Sequence, residues 1–243
     1  MSSIIKVDKL SKHFGNFKAV NEISFQVGKG EIFGFLGANG AGKTTAIRML
    51  SGLLQPTSGK AKVAGFDVFT QRDKIKYKIG YMSQKFSLYD DLTIVENIQL
   101  FGGIYKLSNQ EIKARTKALV ESLGLESVKN KLVKSLPLGW KQKLAFSVAV
   151  LHNPDLVFLD EPTGGVDPIT RRQFWNMIYE TAEQGITVFI TTHYMDEAEY
   201  CDRVSIMVDG RIEALDTPVN LKKQFRAASM DEVFLKLARG SNE

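Results

Sequence analysis

One cysteine, Cys201, occurs in 243 residues. No disulfide can form within the chain, and a reducing compartment is its natural home. No apolar run reaches the ~18 residues of a membrane-spanning helix; the longest, Leu144 to Leu151, suits a buried helix. The opening MSSIIKVDKL lacks the apolar core of a secretory signal, so none is expected. Internal repeats, low-complexity tracts and linkers are missing too. Charge of one sign hardly prevails: 32 Lys and Arg against 27 Asp and Glu leave +5. That excess suits a phosphate ligand or a membrane surface but is too weak to argue nucleic-acid binding, and none is expected. What is present is ordinary for a soluble globular chain, 44% apolar and 24% charged, long enough for one large core with a small appended subdomain.

Residues 3 to 36 read as strands: IIKVDKL, FKAVNEISFQV and EIFGFLG are β-branched or aromatic and separated by Gly and Asn turns. A helix follows from about Lys43 to Leu50, then a turn at QPTSG and strands at KAKVAG and KIGYMSQ. From about Thr93 to Leu151 the period is helical, in three pieces: IVENIQLFGGIY, NQEIKARTKALVESLG and WKQKLAFSVAVL. In the second, Ile112, Leu119, Val120 and Leu123 share a stripe with Thr116 as its polar member. Strand LVFLD, a helix near 169 to 183, strand ITVFITT and a short helix near 195 to 201 follow. RVSIMVDGRIEAL reads as a hairpin turning at Asp209-Gly210, and two short helices finish the chain. Apolar strands alternating with helices predict an α/β fold with a mostly parallel, doubly covered sheet. The prediction adds an N-terminal antiparallel β portion and an inserted all-helical subdomain at 91–151, between core segments 1–90 and 152–243.

The strongest chemical signal is GFLGANGAGKTT. Gly37 to Thr44 fits G-x-x-x-x-G-K-S/T between a predicted strand and a predicted helix. Small residues let the backbone curl so that N–H groups converge on phosphate oxygens, and the helix N-terminus adds partial positive charge. Lys43 supplies a full charge to β- and γ-phosphates, and the Thr44 hydroxyl can ligate Mg²⁺. Asn39, Gly40, Ala41, Gly42 and Thr45 complete the loop.

LVFLDEP ends a buried strand in Asp160 and Glu161, at the edge where ligands sit in open α/β sheets. Asp160 is expected to hold Mg²⁺, directly or through water, and Glu161 to polarise the water that attacks the γ-phosphate. Gln84 and His193 also end predicted strands, so four strand ends can converge on one edge. His13 reads as surface and His152 as part of a helix stop before Asn153-Pro154.

In this order the motifs resemble the nucleotide-binding cassette of the ABC ATPase family over nearly the whole chain: phosphate loop, Gln84, helical insertion, signature segment, LVFLDEP, a D-loop GGVDP with Asp167, and a switch histidine in TTHYMDEAEYCDRV. The stretch between Lys43 and Asp160 leaves room for the helices this family carries and small P-loop kinases lack. The resemblance implies ATP and Mg²⁺ as cofactors, with Thr44, Gln84 and Asp160 around the metal. It implies Glu161 as base and His193 holding the γ-phosphate and attacking water, with Gln84 linking the metal site to the surface. Phe14 would stack on adenine with Val20 packing nearby. It implies a peripheral place on the cytoplasmic face of a membrane, and a separate membrane-spanning partner docking near Lys85 to Tyr105. A second cassette would pair head to tail. TTHYMDEAE and DEVFLKLARG look most like the drug- or multidrug-export branch.

One motif departs from the family. Where members carry L-S-G-G-Q, this chain has Leu136-Pro137-Leu138-Gly139-Trp140, with Lys141-Gln142-Lys143-Leu144 keeping the register. In the family this segment closes over the ATP held by the other cassette, with Asp167 beside it. Pro137 removes a hydroxyl and an N–H yet suits a helix start. Gly139 keeps close backbone approach possible, and Trp140 can add apolar contact. The expectation is normal ATP binding with slower closure and hydrolysis. Two alternatives stay open: a regulatory subunit with little hydrolysis, and a soluble non-transport ABC protein acting as a clamp on ribosomes or DNA.

Overall fold

The computed structural model describes residues 3–85 and 88–240. In chain order the elements are β1 (Ser3–Phe14), β2 (Phe17–Gly28), β3 (Ile32–Gly37), α1 (Lys43–Leu50), β4 (Ser58–Val63), β5 (Phe66–Asp67), α2 (Arg72–Lys76), β6 (Ile79–Met82), α3 (Ile94–Ile104), α4 (Asn109–Ser122), α5 (Leu138–Ala149), β7 (Leu156–Asp160), α6 (Pro168–Glu183), β8 (Thr187–Thr192), β9 (Arg203–Val208), β10 (Arg211–Asp216), α7 (Pro218–Gln224) and α8 (Met230–Gly240). Two 3-10 turns, Val133–Ser135 and Met195–Tyr200, lie between them.

The strands form two sheets. A four-stranded antiparallel sheet runs β2-β1-β4-β5 and a six-stranded one runs β10-β9-β3-β8-β7-β6. In the larger sheet only the β9–β10 hairpin is antiparallel. Its turn, Asp209-Gly210, has φ of 46° and 80°, the paired positive values of a tight type I′ hairpin, which Gly adopts without steric cost. This is the α/β architecture read from the sequence.

The unbroken apolar strands are explained by burial on both faces. Phe33, Phe35, Phe158 and Phe189 face one side, where they meet Phe25 of β2, Ile47 and Leu50 of α1, and the smaller sheet. Their chain neighbours Ile32, Leu36, Val157, Leu159, Val188 and Ile190 face the other side, against α5 and α6. The period of two thus sorts one strand set into two cores. A third cluster joins Ile94, Ile98, Leu119, Val120, Leu144 and Val148, tying α3, α4 and α5 together. Helix α5 contributes to both the second and third clusters, so it bridges the helical insertion and the sheet.

Several boundaries differ from the sequence reading. Helix α5 begins at Leu138, two residues before Trp140, with Pro137 as its N-cap. The short helix expected after β8 is of the 3-10 kind, Met195–Tyr200. The pair β5 and α2, two and five residues long, is too short for periodicity to reveal. Helices α3 and α4 start where their caps say: Thr93 with Glu96, and Ser108 with Glu111, form reciprocal capping boxes.

Candidate functional site

Parallel pairing aligns four strand ends. Leu36 pairs with Thr192, Thr191 with Asp160, and Leu159 with Met82. The residues leaving β3, β8, β7 and β6 therefore emerge side by side, at the carboxyl edge where open α/β sheets hold ligands.

Leaving β3, the loop turns into α1 through Gly42, whose φ is 104°. A Cβ there would lie 2.3 Å from the carbonyl oxygen of Ala19, so both conformation and space require glycine. Lys43 is buried inside the loop. Its Nζ donates to the carbonyls of Gly37 (2.9 Å) and Ala38 (3.0 Å) and lies 3.3 Å from Glu161 Oε1. The N–H of Ala41 is spent on Ala38 O within the loop. Asn39, Gly40, Gly42, Lys43, Thr44 and Thr45 line a cleft of about 440 Å³ together with Gln84, Glu161, Phe17 and Ala19.

At the end of β7 the two acids part company. Asp160 is buried, and its Oδ1 accepts hydrogen bonds from Thr44 Oγ1 (3.1 Å) and Thr191 Oγ1 (2.7 Å). Burial pushes its carboxyl above the ordinary range, against those hydroxyls. Glu161 adopts φ of 50°, a left-handed conformation costing about 1–3 kcal/mol for a non-glycine residue. Its N–H is held by Thr191. The turn swings its carboxylate over the loop, where Oε2 accepts from Gln84 Nε2 and meets His193 Nδ1, each at 3.1 Å. Lys43, Gln84 and His193 thus converge on one carboxylate. A carboxylate only accepts, so His193 Nδ1 carries the proton.

Thr44 and Asp160 present adjacent hard oxygens, a donor set that fits Mg²⁺ held by one or two protein oxygens with substrate phosphates completing it. No cluster of three or more His, Cys, Asp or Glu with metal-binding geometry occurs among the described residues, as such a shared site does not need one. Gln84, expected near the metal, makes its side-chain bond to Glu161.

Three further expected side chains are placed as follows. Val20 is fully buried in the core beside β1 and leaves no surface for adenine. Phe14 is exposed, with Lys12 Nζ 5.1 Å from its ring centroid, but stands outside the cleft lining. The lining aromatic is Phe17, 64% exposed, which the sequence reading missed because an aromatic at a strand start looks like core. Leu136 is buried in the helical cluster, so its side chain is structural.

The rest of the signature segment lies on α5. Leu138 is 42% and Trp140 40% exposed, and Ile169 at the start of α6 is 72% exposed. Gly139 has a reason inside its own chain: a Cβ there would lie 2.7 Å from Thr170 Cγ2, so its smallness lets α5 meet α6. Asp167 caps α6, accepting from the N–H groups of Ile169 and Thr170 and from the Thr170 hydroxyl (2.6 Å). Those bonds, the hydroxyl's first, hold its carboxyl below the usual range.

Comparison with known proteins bears on this geometry. A family model described as "ABC transporter" matches residues 20–164, more than half of the chain. The chain is 45% identical over 240 residues to "Probable multidrug ABC transporter ATP-binding protein YbhF" of Escherichia coli, covering 97% of this chain and 42% of YbhF; it spans less than half the length of that relative. Its fold superposes on the "ATP binding subunit of ABC transporter" with a TM-score of 0.87 at 29% identity, over 97% of this chain and 99% of the other. It also superposes on the ATP-binding cassette MJ0796, solved as a dimer in a post-hydrolysis state bound to ADP and Pi, with a TM-score of 0.79 at 25% identity, over 88% and 98% of the two chains. A glycine-wrapped lysine, a strand-end acid beside a threonine and a carboxylate gripped from three sides make up an edge suited to a nucleotide's phosphates, and with these matches they identify the chain as an ATP-binding cassette of the ABC transporter family.

Proposed function

We propose that this cassette hydrolyses Mg²⁺·ATP through Lys43, Thr44, Asp160, Glu161, Gln84 and His193, and that hydrolysis powers transport through a separate membrane-spanning chain. The observation that carries the reading is the meeting of Lys43, Gln84 and His193 on Glu161, within 3.1–3.3 Å. Lys43 is engaged by two loop carbonyls and by Glu161. A triphosphate entering the loop offers Lys43 stronger acceptors, and as Lys43 turns to it, Glu161 loses its cation and can accept a proton from water. His193 keeps Glu161 oriented, and Gln84 closes the third side. Mg²⁺, held by Thr44 and Asp160, would supply charge neutralisation at the β- and γ-phosphates; an ionised Asp160 suits that role once a cation offsets its burial. Phe14 or Phe17 would receive the base.

The second cassette would cover this site with the start of α5, presenting Pro137, Leu138, Gly139 and Trp140, with Asp167 alongside. Exposed Leu138, Trp140 and Ile169 favour apolar contact across that face rather than the hydroxyl bond a serine would make. Closure and turnover are therefore slower than with a polar signature.

The membrane partner would dock on the surface between α2, β6 and the end of α3. A cleft of about 390 Å³ there is lined by Leu53, Tyr77, Ile79, Tyr81, Ile104 and Tyr105, with Asp73 and Lys76 among its polar residues. Of the expected docking stretch Lys85 to Tyr105, Phe86 and Ser87 lie outside the described residues. Among the described residues no helix is long and apolar enough to cross a membrane; we place the chain on the cytoplasmic face, and its likeness to YbhF supports a drug-export system. Helices 91–151 form the subdomain that carries the signature. The reading is tested with Glu161→Gln: Mg²⁺·ATP binding measured by calorimetry is retained while steady-state turnover nearly stops. Vigorous turnover in that variant removes Glu161 from the role.

A further inference from the structure

Four residues after His193, in the 3-10 turn Met195–Tyr200, Glu197 is fully buried. A carboxylate withdrawn from water is costly unless it is paired and hydrogen-bonded, and an apolar residue of similar volume avoids that cost. Glu197 is only half satisfied. Its Oε1 accepts from the hydroxyl of Thr163, also fully buried, at 2.7 Å, while Oε2 has no hydrogen-bond partner. Arg171 Nε lies 3.8 Å from Oε1, too far for a hydrogen bond, and is itself buried without one.

What Glu197 touches explains its place. Thr163 stands two residues after Glu161. Arg171 lies in the first turns of α6, where its N–H bonds to Asp167 O, and its guanidinium packs 4.3 Å from the ring of Tyr194 and 3.6 Å from Asp196. The chain from Glu161 to Thr163 and the chain from His193 to Glu197 are therefore joined twice: once by the Glu161–His193 contact at 3.1 Å and once by the Thr163–Glu197 bond at 2.7 Å. Next in the same loop, Gly164 O accepts a hydrogen bond at 3.2 Å from fully buried Gln142 of α5.

We propose that Glu197 is a positioning residue for hydrolysis: acting through Thr163 and Arg171, it sets the loop that carries Glu161 against the segment that carries His193. This rests on the roles assigned above to Glu161 and His193. The test uses the full chain with Thr163→Val, Thr163→Ser, Glu197→Gln and the Thr163→Val/Glu197→Gln double variant. Steady-state kcat and KM, calorimetric Mg²⁺·ATP affinity and Tm are measured for each. A small misplacement of reacting groups costs about 10- to 100-fold in rate, so Thr163→Val and Glu197→Gln lower kcat by about that factor while KM and ATP affinity stay within about two-fold. Thr163→Ser, which keeps the hydroxyl, restores kcat, and the double variant is no slower than the slower single one. The proposal is overturned if folded Thr163→Val keeps the parent kcat, if Thr163→Ser is as slow as Thr163→Val, or if kcat falls only in step with ATP affinity and Tm. Should Glu197→Gln fail to fold, the two Thr163 variants decide alone. Glu161→Gln measured alongside separates the two readings, since rapid turnover there removes the base assignment whichever way the Thr163 variants behave.

Discussion

The carboxyl edge of the large sheet and the exposed start of α5 are opposite kinds of surface within one chain. At the sheet edge the central polar side chains are engaged with one another: Lys43 on Gly37, Ala38 and Glu161; Thr44 and Thr191 on Asp160; Gln84 and His193 on Glu161. At the start of α5 there is no side-chain cap, Pro137 contributes no hydroxyl, and Leu138, Trp140 and Ile169 stand in solvent. The first surface is organised before any ligand arrives, which is how electrostatic catalysis avoids reorganisation during reaction. The second acquires partners only when another surface covers it. On the proposed reading, nucleotide binding is a property of the single chain, whereas turnover depends on what meets α5.

The comparison breaks most directly at Glu161. A general base contributes about 10²–10⁴-fold, so Glu161→Gln lowers kcat by that order while ATP binding persists; a small loss in single-turnover hydrolysis would mean that the organised edge is not where water is activated. Next is Lys43→Ala. Two charge-assisted bonds to phosphate, each about 1.5–3 kcal/mol, correspond to about 100-fold or more in ATP affinity, read by calorimetry. Unchanged binding heat would leave the loop without its assigned task. At the other surface, Pro137→Ser returns a hydroxyl to the helix start. ATP-driven dimerisation in the Glu161→Gln background, followed by analytical ultracentrifugation, tightens by about 10- to 100-fold. No change there means that the apolar start of α5 closes as well as a polar one.

The smallest effect lies beyond the far end of α5. His152 stacks on Tyr105 with ring centroids 3.6 Å apart, and its Nε2 meets the Ile79 carbonyl at 3.1 Å while Nδ1 is buried without a partner. Burial pushes its pKa down to about 4 from 6.5, with the Ile79 bond opposing and Arg115 adding to the fall. A depressed histidine binds its proton later in the folded state than in the unfolded chain. Its stabilising contribution is therefore full above about pH 6.5, falls as the pH drops, and levels off below about pH 4. Tm measured between pH 7 and 4.5 declines more steeply for the parent than for His152→Gln. Equal slopes would remove His152 as the cause.

Much of this molecule was legible in order along the chain. The phosphate loop, the LVFLDEP strand end and the Asp209-Gly210 hairpin all follow from short-range sterics and hydrogen bonds. The burial of Val20 and Leu136 and the place of Phe17 in the cleft lining were not legible, because strand and helix patterning says which face a residue takes but not what covers that face. Gly139 was read only as an opening toward a phosphate, and Thr170, which occupies that space, lies 31 positions later by residue number, on another helix.

The sequence by itself determined the family, the element order and the identity of the groups that can handle a triphosphate, because those depend on spacing within a few residues and on residue chemistry. Only the tertiary structure decided that Lys43, Gln84 and His193 share one carboxylate, that Glu197 is sealed between two loops, and that α5 belongs to two cores. Such meetings join residues tens of positions apart. They are fixed by strand order and by which apolar faces close on one another, quantities that no local run of residues contains.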